Sequence, residues 1–208
     1  MCAEDYHERL WEAVPERLEP QHFSLRCAFL LDAVRRGERV LDVGCGEGRF
    51  SAELAAAGVE VVGVDVAREP LRRACARHDG LDLRLVPLAG PWPLEDASFD
   101  AVWAGEVIEH VADTARWLSE VRRVLRPHGK LLLSTPDHGP LSRLRLGLSR
   151  TAFESHFDPF SDHLRFYTRE MLVRVLEDFR FESVRVRAHA GVPGARAVLL
   201  ASAVRARW

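Results

Sequence analysis

The segment that most constrains the fold is residues 38–48, Glu-Arg-Val-Leu-Asp-Val-Gly-Cys-Gly-Glu-Gly, in which a short apolar run leads into three alternate glycines. The apolar run predicts a buried strand. The glycines predict a tight turn that brings bare backbone against a ligand, because a Cβ would block that approach. Gly44, Gly46 and Gly48 are spaced differently from the Gly-x-Gly-x-x-Gly of dinucleotide-binding folds. Asp42 precedes the first glycine by two residues, and its carboxylate favours a cationic ligand over a pyrophosphate.

Length and composition favour a single domain. The chain has 208 residues, of which 47% are hydrophobic, and its net charge of −2 gives no basic field to steer a nucleic acid. No apolar run approaches the ~20 residues that span a bilayer, and the acidic N-terminus lacks a signal-peptide core. Cys2, Cys27, Cys45 and Cys75 form no Cys-x-x-Cys pair, which predicts free thiols. We therefore expect a soluble, cytoplasmic protein without a membrane span.

Apolar runs alternate with amphipathic stretches from about residue 38 to 135, which predicts a doubly wound α/β fold with a mostly parallel sheet. Two C-terminal strands are close enough in sequence to pair antiparallel, so we expect a Rossmann-like sheet of seven strands whose final strand is antiparallel. The predicted strands are 40–43, 59–65, 83–86, 99–103, 130–134, 181–188 and 195–204, and the predicted helices between them are 49–57, 69–77, 114–125 and 168–178.

The single domain, 1–208, divides into four parts by pattern. Residues 1–36 predict two helices separated by Pro15 and Pro20, and 37–135 form the cofactor-binding core. Residues 136–167 are irregular and predict a lid insertion, and 168–208 predict a helix with a β-hairpin. In the lid we expect Leu141, Leu144 and Leu148 to pack inward, Arg143, Arg145 and Arg150 to face solvent, and Phe153, Phe157, Phe160, Phe166 and Tyr167 to build a small core.

Asp65 gives the first indication of the ligand. It ends the second predicted strand 21 residues after Gly44, where a carboxylate can accept both hydroxyls of a ribose. In an open α/β sheet, ligands bind outside the carboxyl ends of the strands, so Asp42, the glycine turn and Asp65 should meet at one edge. Together they predict a nucleoside ligand.

At these residues the chain resembles the class I S-adenosylmethionine (SAM)-dependent methyltransferases. The likeness is carried in order by Val40-Leu-Asp-Val-Gly-Cys-Gly-Glu-Gly48, Val61-Val-Gly-Val-Asp65, Ser98-Phe-Asp100, Glu106-Val-Ile-Glu-His110 and 124–136. The resemblance implies that Asp42 faces the methionine ammonium, Arg26 its carboxylate and Asp65 the ribose diol. It implies further cofactor contacts at Gly44, Cys45, Gly46, Gly48, Val66, Leu88, Ala89 and Gly105.

One departure from the family pattern concerns the adenine. Many relatives carry an Asp near the end of the third strand that accepts from the adenine amino group, whereas this chain has Leu88-Ala89 before Gly90-Pro91-Trp92. Backbone groups and apolar contacts would then hold the adenine.

The remaining chemistry requires a base or a metal, because SAM brings an activated methyl group and the acceptor must lose a proton. Glu106, Glu109 and His110 stand at i, i+3 and i+4, which on a helical turn predicts two carboxylates and an imidazole on one face. This turn follows the fourth strand, where the acceptor should lie.

The triplet resembles that of ubiquinone-pathway O-methyltransferases and of small-RNA 3′-terminal 2′-O-methyltransferases, in which Glu-x-x-Glu-His contributes to a divalent metal site. The segment Asp162-His163-Leu-Arg-Phe-Tyr-Thr-Arg169 is similar to one that supplies a further histidine in the RNA branch. The resemblance implies a site for Mg²⁺ or another divalent metal at Glu106, Glu109, His110 and His163, with His110 and His163 catalytic. Alternatively, His110 acts directly as the base or only orients the lid.

Several functions remain compatible with these residues. The first is methyl transfer to an oxygen of a small hydroxylated metabolite, and the second is methylation of an RNA 3′ end, which length and charge disfavour. A non-catalytic SAM-binding partner subunit is a third. A nicotinamide oxidoreductase would share the fold, but the glycine spacing and Asp42 argue against it. Residues 1–36 and 136–167, the least patterned segments, are expected to choose the acceptor.

Overall fold

A computed structural model of the chain describes residues 3–88, 91–158, 161–192 and 195–207. Within them lie seven strands: β1 Arg39–Val43, β2 Glu60–Asp65, β3 Asp82–Leu85, β4 Phe99–Gly105, β5 Leu125–Pro136, β6 Phe181–Val192 and β7 Ala195–Arg205. The helices are α1 Ala3–Ala13, α2 Phe23–Ala33, α3 Arg49–Ala56, α4 Arg68–Arg77, α5 Thr114–Val124, α6 Pro140–Leu148, α7 Arg150–His156 and α8 Arg169–Asp178, and a 3₁₀ turn spans Ile108–His110.

The strands form one sheet in the order β3-β2-β1-β4-β5-β7-β6. Strands β1 to β5 run parallel, whereas β7 lies antiparallel between β5 and β6. This confirms the predicted Rossmann-like, doubly wound class with an antiparallel final strand. The order reverses between β1 and β4, where Asp42 stands beside Trp103 and Val43 beside Ala104. A ligand-binding crevice is expected at the carboxyl ends of these two strands.

Successive residues of the central strands face two separate apolar layers. Leu41, Val43 and Val102 belong to a cluster that includes side chains of α5 and α8. Val40 and Trp103 belong to a second cluster with side chains of α2 and α3. Because both faces are covered, the strands are apolar throughout, as is usual in parallel sheets. Two buried carboxyls, Asp42 and Asp65, stand out from this pattern at the ends of β1 and β2.

Most element boundaries follow local sequence signals. Asp113 caps α5, since its carboxylate accepts from Arg116 N at 2.9 Å. The predicted start of the fifth strand at residue 130 is wrong, because β5 begins at Leu125, directly after α5. Leu125 pairs with Phe99, and the register then shifts so that Ala101 pairs with Lys130. The Pro-His-Gly segment is thus taken up as an irregularity within the strand.

The lid insertion contains α6 and α7, and its described residues after α7 lie in no helix or strand. The predicted inward packing of three leucines is wrong: Leu141, Leu144 and Leu148 are 48%, 55% and 79% exposed, and Leu146 is buried instead. Arg143, Arg145 and Arg150 are exposed as expected.

The aromatic residues of the lid divide between core and surface. Tyr167 joins the main core cluster, whereas Phe153 and Phe157 are exposed. Phe160 lies outside the described residues.

Two expectations from composition can also be compared with the structure. Cys27, Cys45 and Cys75 are free thiols, and Cys2 lies outside the described residues. In the part of the chain that the structure describes, no helix has both the length and the apolar character needed to cross a membrane.

Candidate active site

The glycine turn is held against the end of β2. Gly44, Gly46 and Gly48 all adopt positive φ, at 66°, 54° and 76°, a conformation that residues with a Cβ seldom adopt. Gly44 N and Cys45 N both donate to Val64 O, at 2.8 and 3.0 Å. Gly46 N donates to a carboxylate oxygen of Asp65 at 2.9 Å. The predicted sequence of strand, turn and second strand therefore forms one hydrogen-bonded unit.

Asp42 is a buried carboxyl at the end of β1. It is 1% exposed, and the Ser51 hydroxyl on α3 donates to its Oδ2 at 2.6 Å. Burial raises the pKa of Asp42 to about 7, although the Ser51 hydrogen bond and the Arg26 charge oppose this effect. A buried carboxyl whose ionisation is unfavourable suits a ligand that brings a positive charge.

Asp65 is also buried, and both of its oxygens accept backbone amides. Oδ2 accepts from Gly46 N and Oδ1 accepts from Ala67 N at 3.0 Å. Burial raises the pKa of this carboxyl, and the two backbone hydrogen bonds counteract the increase. Since a carboxylate has about four acceptor sites, capacity remains for the hydroxyls of a ribose.

Arg26 lies under the end of β4. Its guanidinium is 2% exposed, 4.9 Å from the Phe50 ring centroid and 3.8 Å from Glu106 Oε2. A Cβ on Gly105 would come within 2.5 Å of Arg26 Nη2, so only glycine permits this approach. Arg26 Nε is buried and has no hydrogen-bond partner among the described residues. The α2 helix thus delivers a cation to the predicted cofactor edge.

Glu106 does not share a helical face with Glu109 and His110, contrary to the sequence interpretation. Its φ is 58°, and its N–H donates to Ser134 O at 2.9 Å, so the chain turns sharply there as it leaves β4. The 3₁₀ turn begins only at Ile108. The i, i+3, i+4 argument fails because it assumes continuous helical geometry from Glu106 onward.

Glu109 is a second buried carboxyl, 1% exposed. The Thr135 hydroxyl donates to its Oε2 at 2.9 Å, whereas its Oε1 is buried without a hydrogen-bond partner among the described residues. Burial, with a further contribution from the Glu106 charge, raises the pKa of Glu109 to about 8. An unsatisfied buried oxygen is costly, so this atom is suited to a proton, a metal ion or a ligand hydroxyl.

His110 is oriented by the last loop of the lid insertion. Its Nδ1 lies 2.9 Å from Asp162 O and 3.4 Å from Asp162 Oδ2. A carbonyl only accepts, so Nδ1 is the donor in this hydrogen bond. Leu164 N and Arg165 N donate to Glu109 O at 2.8 and 2.9 Å, which fixes this loop against the 3₁₀ turn.

His163 completes the cluster. Its ring centroid lies 4.9 Å from that of His110 in an edge-to-face contact. Burial lowers the pKa of His163, and the neighbouring His110 lowers it further. One ligand atom from each of Glu109, His110 and His163 lies within 4.8 Å of the others, so this group could hold a metal ion. Glu106, the fourth predicted ligand, lies outside that group.

Three predicted cofactor residues remain, Val66, Leu88 and Ala89. Val66 is partly buried against the main core cluster, and Leu88 is 37% exposed. Ala89 lies outside the described residues. Sequence reasoning missed Ser51, Thr135 and the orienting carbonyl of Asp162. Thr135 could have been found from its position, since it is a polar residue that ends an apolar strand beside the switch point.

The sequence profile described as "Methyltransferase domain" matches residues 10–186. The chain belongs to the SAM-dependent methyltransferase family. A probable SAM-dependent methyltransferase of Mycolicibacterium smegmatis is 35% identical over 182 residues, covering 88% of this chain and 62% of that protein. A ubiquinone biosynthesis O-methyltransferase of Hahella chejuensis is 38% identical over 150 residues, covering 68% of this chain and 62% of the relative.

The methyltransferase chain therefore spans about three fifths of the length of each of these two relatives. Among solved structures, a SAM-dependent methyltransferase of Methanosarcina mazei superimposes with a TM-score of 0.65 at 25% identity. The alignment covers 86% of this chain and 98% of that one. This likeness agrees with the class I fold seen here.

Proposed function

We propose that this methyltransferase binds SAM at the glycine turn and transfers its methyl group to an oxygen of a small hydroxylated molecule. The observation that carries the proposal is the cluster of Glu109, His110 and His163. It lies just beyond the carboxyl end of β4, next to the glycine turn that ends β1. A cofactor site and a proton-accepting site thus meet at one switch point of the sheet.

The residues around the turn fit the cofactor group by group. Asp42 offers a buried carboxylate to the methionine ammonium, and Arg26 offers a buried guanidinium with one unpartnered N–H to the methionine carboxylate. Asp65, already holding Gly46 N, has acceptor capacity for the ribose diol. When bound, SAM supplies a methyl group on a sulfonium, which an aligned oxygen nucleophile displaces in line.

His110 is the residue best placed to take the acceptor proton. Its Nδ1–H is committed to Asp162 O, so its Nε2 lone pair is available toward the acceptor. Glu109, with a pKa raised to about 8, is the second candidate for holding a proton near neutral pH. In O-methylation the acceptor hydroxyl must lose its proton as its oxygen attacks the methyl group. A protein that only binds the cofactor needs no residue for this step.

A divalent metal is the alternative means of acidifying the acceptor. The unpartnered Oε1 of Glu109, with one nitrogen each from His110 and His163, provides a mixed carboxylate and imidazole donor set. Glu106 is proposed as a fourth ligand, which requires its side chain to leave Arg26. Such an ion, Mg²⁺ or a later divalent metal, would chelate acceptor oxygens and lower the pKa of a hydroxyl.

The choice of oxygen and of a small acceptor is supported by the relatives. The Hahella chejuensis protein is named for O-methylation in ubiquinone biosynthesis. The net charge of −2 also provides little attraction for a polyanionic substrate. These observations favour a hydroxylated metabolite over an RNA end.

The test combines a binding and an activity measurement on the full chain. S-adenosylhomocysteine (SAH) titration by calorimetry should show binding that Asp65→Ala weakens. Hydroxylated metabolites are then screened for methyl transfer with and without EDTA, and with Mg²⁺ or Mn²⁺ restored. His110→Gln should lower kcat by about 10²–10⁴-fold, whereas His156→Gln, a matched lid histidine outside the cluster, should not.

The outcomes separate the competing functions. Loss of activity in EDTA supports the metal, and full activity in EDTA supports His110 as the direct base. Methylation confined to oligoribonucleotides that then resist periodate would favour the RNA 3′-end alternative. SAH binding without turnover on any acceptor, and a silent His110→Gln, would favour a non-catalytic SAM-binding subunit. Absence of SAH binding would refute the proposal.

A further inference from the structure

Helix α1 lies across the carboxyl edge of the sheet, over the predicted cofactor site. Its inner face is formed by His7, Glu8 and Trp11, which are partly buried, while Arg9 and Glu12 on the outer face are exposed. The ring of Trp11 touches the glycine turn: a Cβ on Gly46 would come within 2.9 Å of Trp11 Cη2. An aromatic side chain of α1 therefore covers the backbone that is proposed to face the cofactor.

Polar contacts fasten α1 to α4. The Glu8 carboxylate accepts from Arg68 N at 2.7 Å and from Glu69 N at 2.9 Å, which caps the first turn of α4. Arg73 donates to Trp11 O at 3.0 Å and to Val14 O at 2.9 Å, which holds the last turn of α1. Both anchors lie on the helix that follows Asp65, so α1 spans the ribose side of the site.

The linker between α1 and α2, residues 14–22, is hydrogen-bonded to the glycine turn and to the residue that follows it. Arg17 N donates to Glu47 Oε2 at 3.1 Å, and Arg49 donates to Arg17 O at 2.8 Å. Glu47 belongs to the turn, between Gly46 and Gly48. The linker therefore stays attached to the turn if α1 swings away.

The attachment of α1 itself is peripheral. Among the described residues, neither apolar core cluster includes a side chain of α1; the first buried members along the chain are Leu41 of β1 in one cluster and Cys27 of α2 in the other. A helix held by a few hydrogen bonds outside the core opens at lower free-energy cost than the core elements do. Release of α1 would uncover Gly46 without disturbing the sheet.

We infer that α1 is a movable cover that completes the cofactor site, with Trp11 as a further cofactor-contacting residue. The inference rests on the proposed function, because it requires SAM to lie against the glycine turn. A ligand that reaches Gly46 meets the Trp11 ring, which offers a broad apolar face for packing. Cofactor exchange then requires α1 to detach from α4, so α1 governs the dissociation rate.

The experiment measures SAH binding by calorimetry and SAH dissociation by stopped-flow displacement, using the full chain. Trp11→Ala should weaken SAH binding by about tenfold and speed dissociation at least as much. Trp11→Phe should retain most of the affinity. Glu8→Gln should speed dissociation by about fivefold, because it removes one of the two hydrogen bonds that Glu8 accepts from the first turn of α4. Glu12→Gln, on the exposed face of α1, is the matched control and should match the wild type.

Trp11 fluorescence provides a readout that is independent of affinity. The wild type should show an emission change on SAH addition that Trp11→Phe lacks, which keeps the inference testable if Trp11→Ala folds poorly. The inference is overturned if the wild type binds SAH but Trp11→Ala matches it in affinity and dissociation rate, or if both proteins give the same emission change. Absence of SAH binding by the wild type would instead refute the proposed function, and this inference with it.

Discussion

The ionisation of Asp42 provides a test of the cofactor assignment that does not depend on the acceptor. Burial raises the pKa of this carboxyl to about 7 in the ligand-free chain. A methionine ammonium placed beside it requires the charged form, so the pKa must fall on binding. Binding below pH 7 should therefore release a proton from Asp42 to the buffer.

The magnitude follows from the raised pKa. With a pKa of about 7, roughly one tenth of the chains carry an ionised Asp42 at about pH 6, so binding should release ~0.9 proton there. At about pH 5 the ionised fraction is ~0.01, against roughly one half at pH 7. SAH affinity should consequently fall by about fifty-fold between these two pH values, or about 2.3 kcal/mol.

Calorimetry in buffers of different ionisation enthalpy measures both quantities. Asp42→Asn is the matched control, because it preserves shape and can still accept from Ser51 while removing the titrating carboxyl. The variant should bind SAH more weakly and lose the proton release. Ser51→Ala removes the 2.6 Å hydrogen bond that lowers the pKa of Asp42, so the proton-release midpoint should move to higher pH. Equal proton release by wild type and Asp42→Asn would refute the assignment.

The other predictions concern close approach and packing. Gly105→Ala should lower the free energy of unfolding by about 1–3 kcal/mol, because its Cβ would come within 2.5 Å of Arg26 Nη2. Gly147→Ala, with nothing within 4 Å of its added Cβ, should instead stabilise α6 by about 0.5–1 kcal/mol. Leu146→Ala should cost about 2–3 kcal/mol, and Leu148→Ala, at a 79% exposed side chain, less than about 0.5 kcal/mol. Chemical denaturation of the four variants checks these values, and a larger loss for Leu148→Ala than for Leu146→Ala would contradict the observed orientation of α6.

Sequence signals were sufficient wherever the constraint is local. The run from Val40 to Gly48 encodes a buried strand, a carboxyl and a turn of positive φ, and each feature is present in the structure. Asp113 caps α5 because a cap depends on residues three apart. The mostly parallel sheet also followed, since alternating strand and helix patterns are typical of parallel strands joined by crossover helices.

The errors arose where tertiary contacts decide between local alternatives. In α6, three leucines at helical spacing form a larger apolar ridge than Leu146 alone, yet Leu146 is the one that is buried. The pattern identifies two apolar faces but does not tell which one meets the rest of the protein. Glu106 was assigned to a helix on spacing alone, whereas hydrogen bonding of its N–H to Ser134 O on β5 accompanies a left-handed turn.

The electrostatics of the site connect its two halves through one cation. The positive charge of Arg26 attracts three carboxyl groups. The electrostatic attraction is strongest for Glu106, weaker for Glu109 and weakest for Asp42. Even so, burial keeps the pKa of Asp42 near 7 and that of Glu109 near 8. One guanidinium is therefore too little positive charge to ionise both buried carboxyls at neutral pH. A cationic cofactor at Asp42 would supply the missing positive charge there, and a proton or a metal ion would supply it at Glu109. Cofactor binding alone would account for the first of these two positions but not for the second. The presence of both at one edge of the sheet therefore favours methyl transfer.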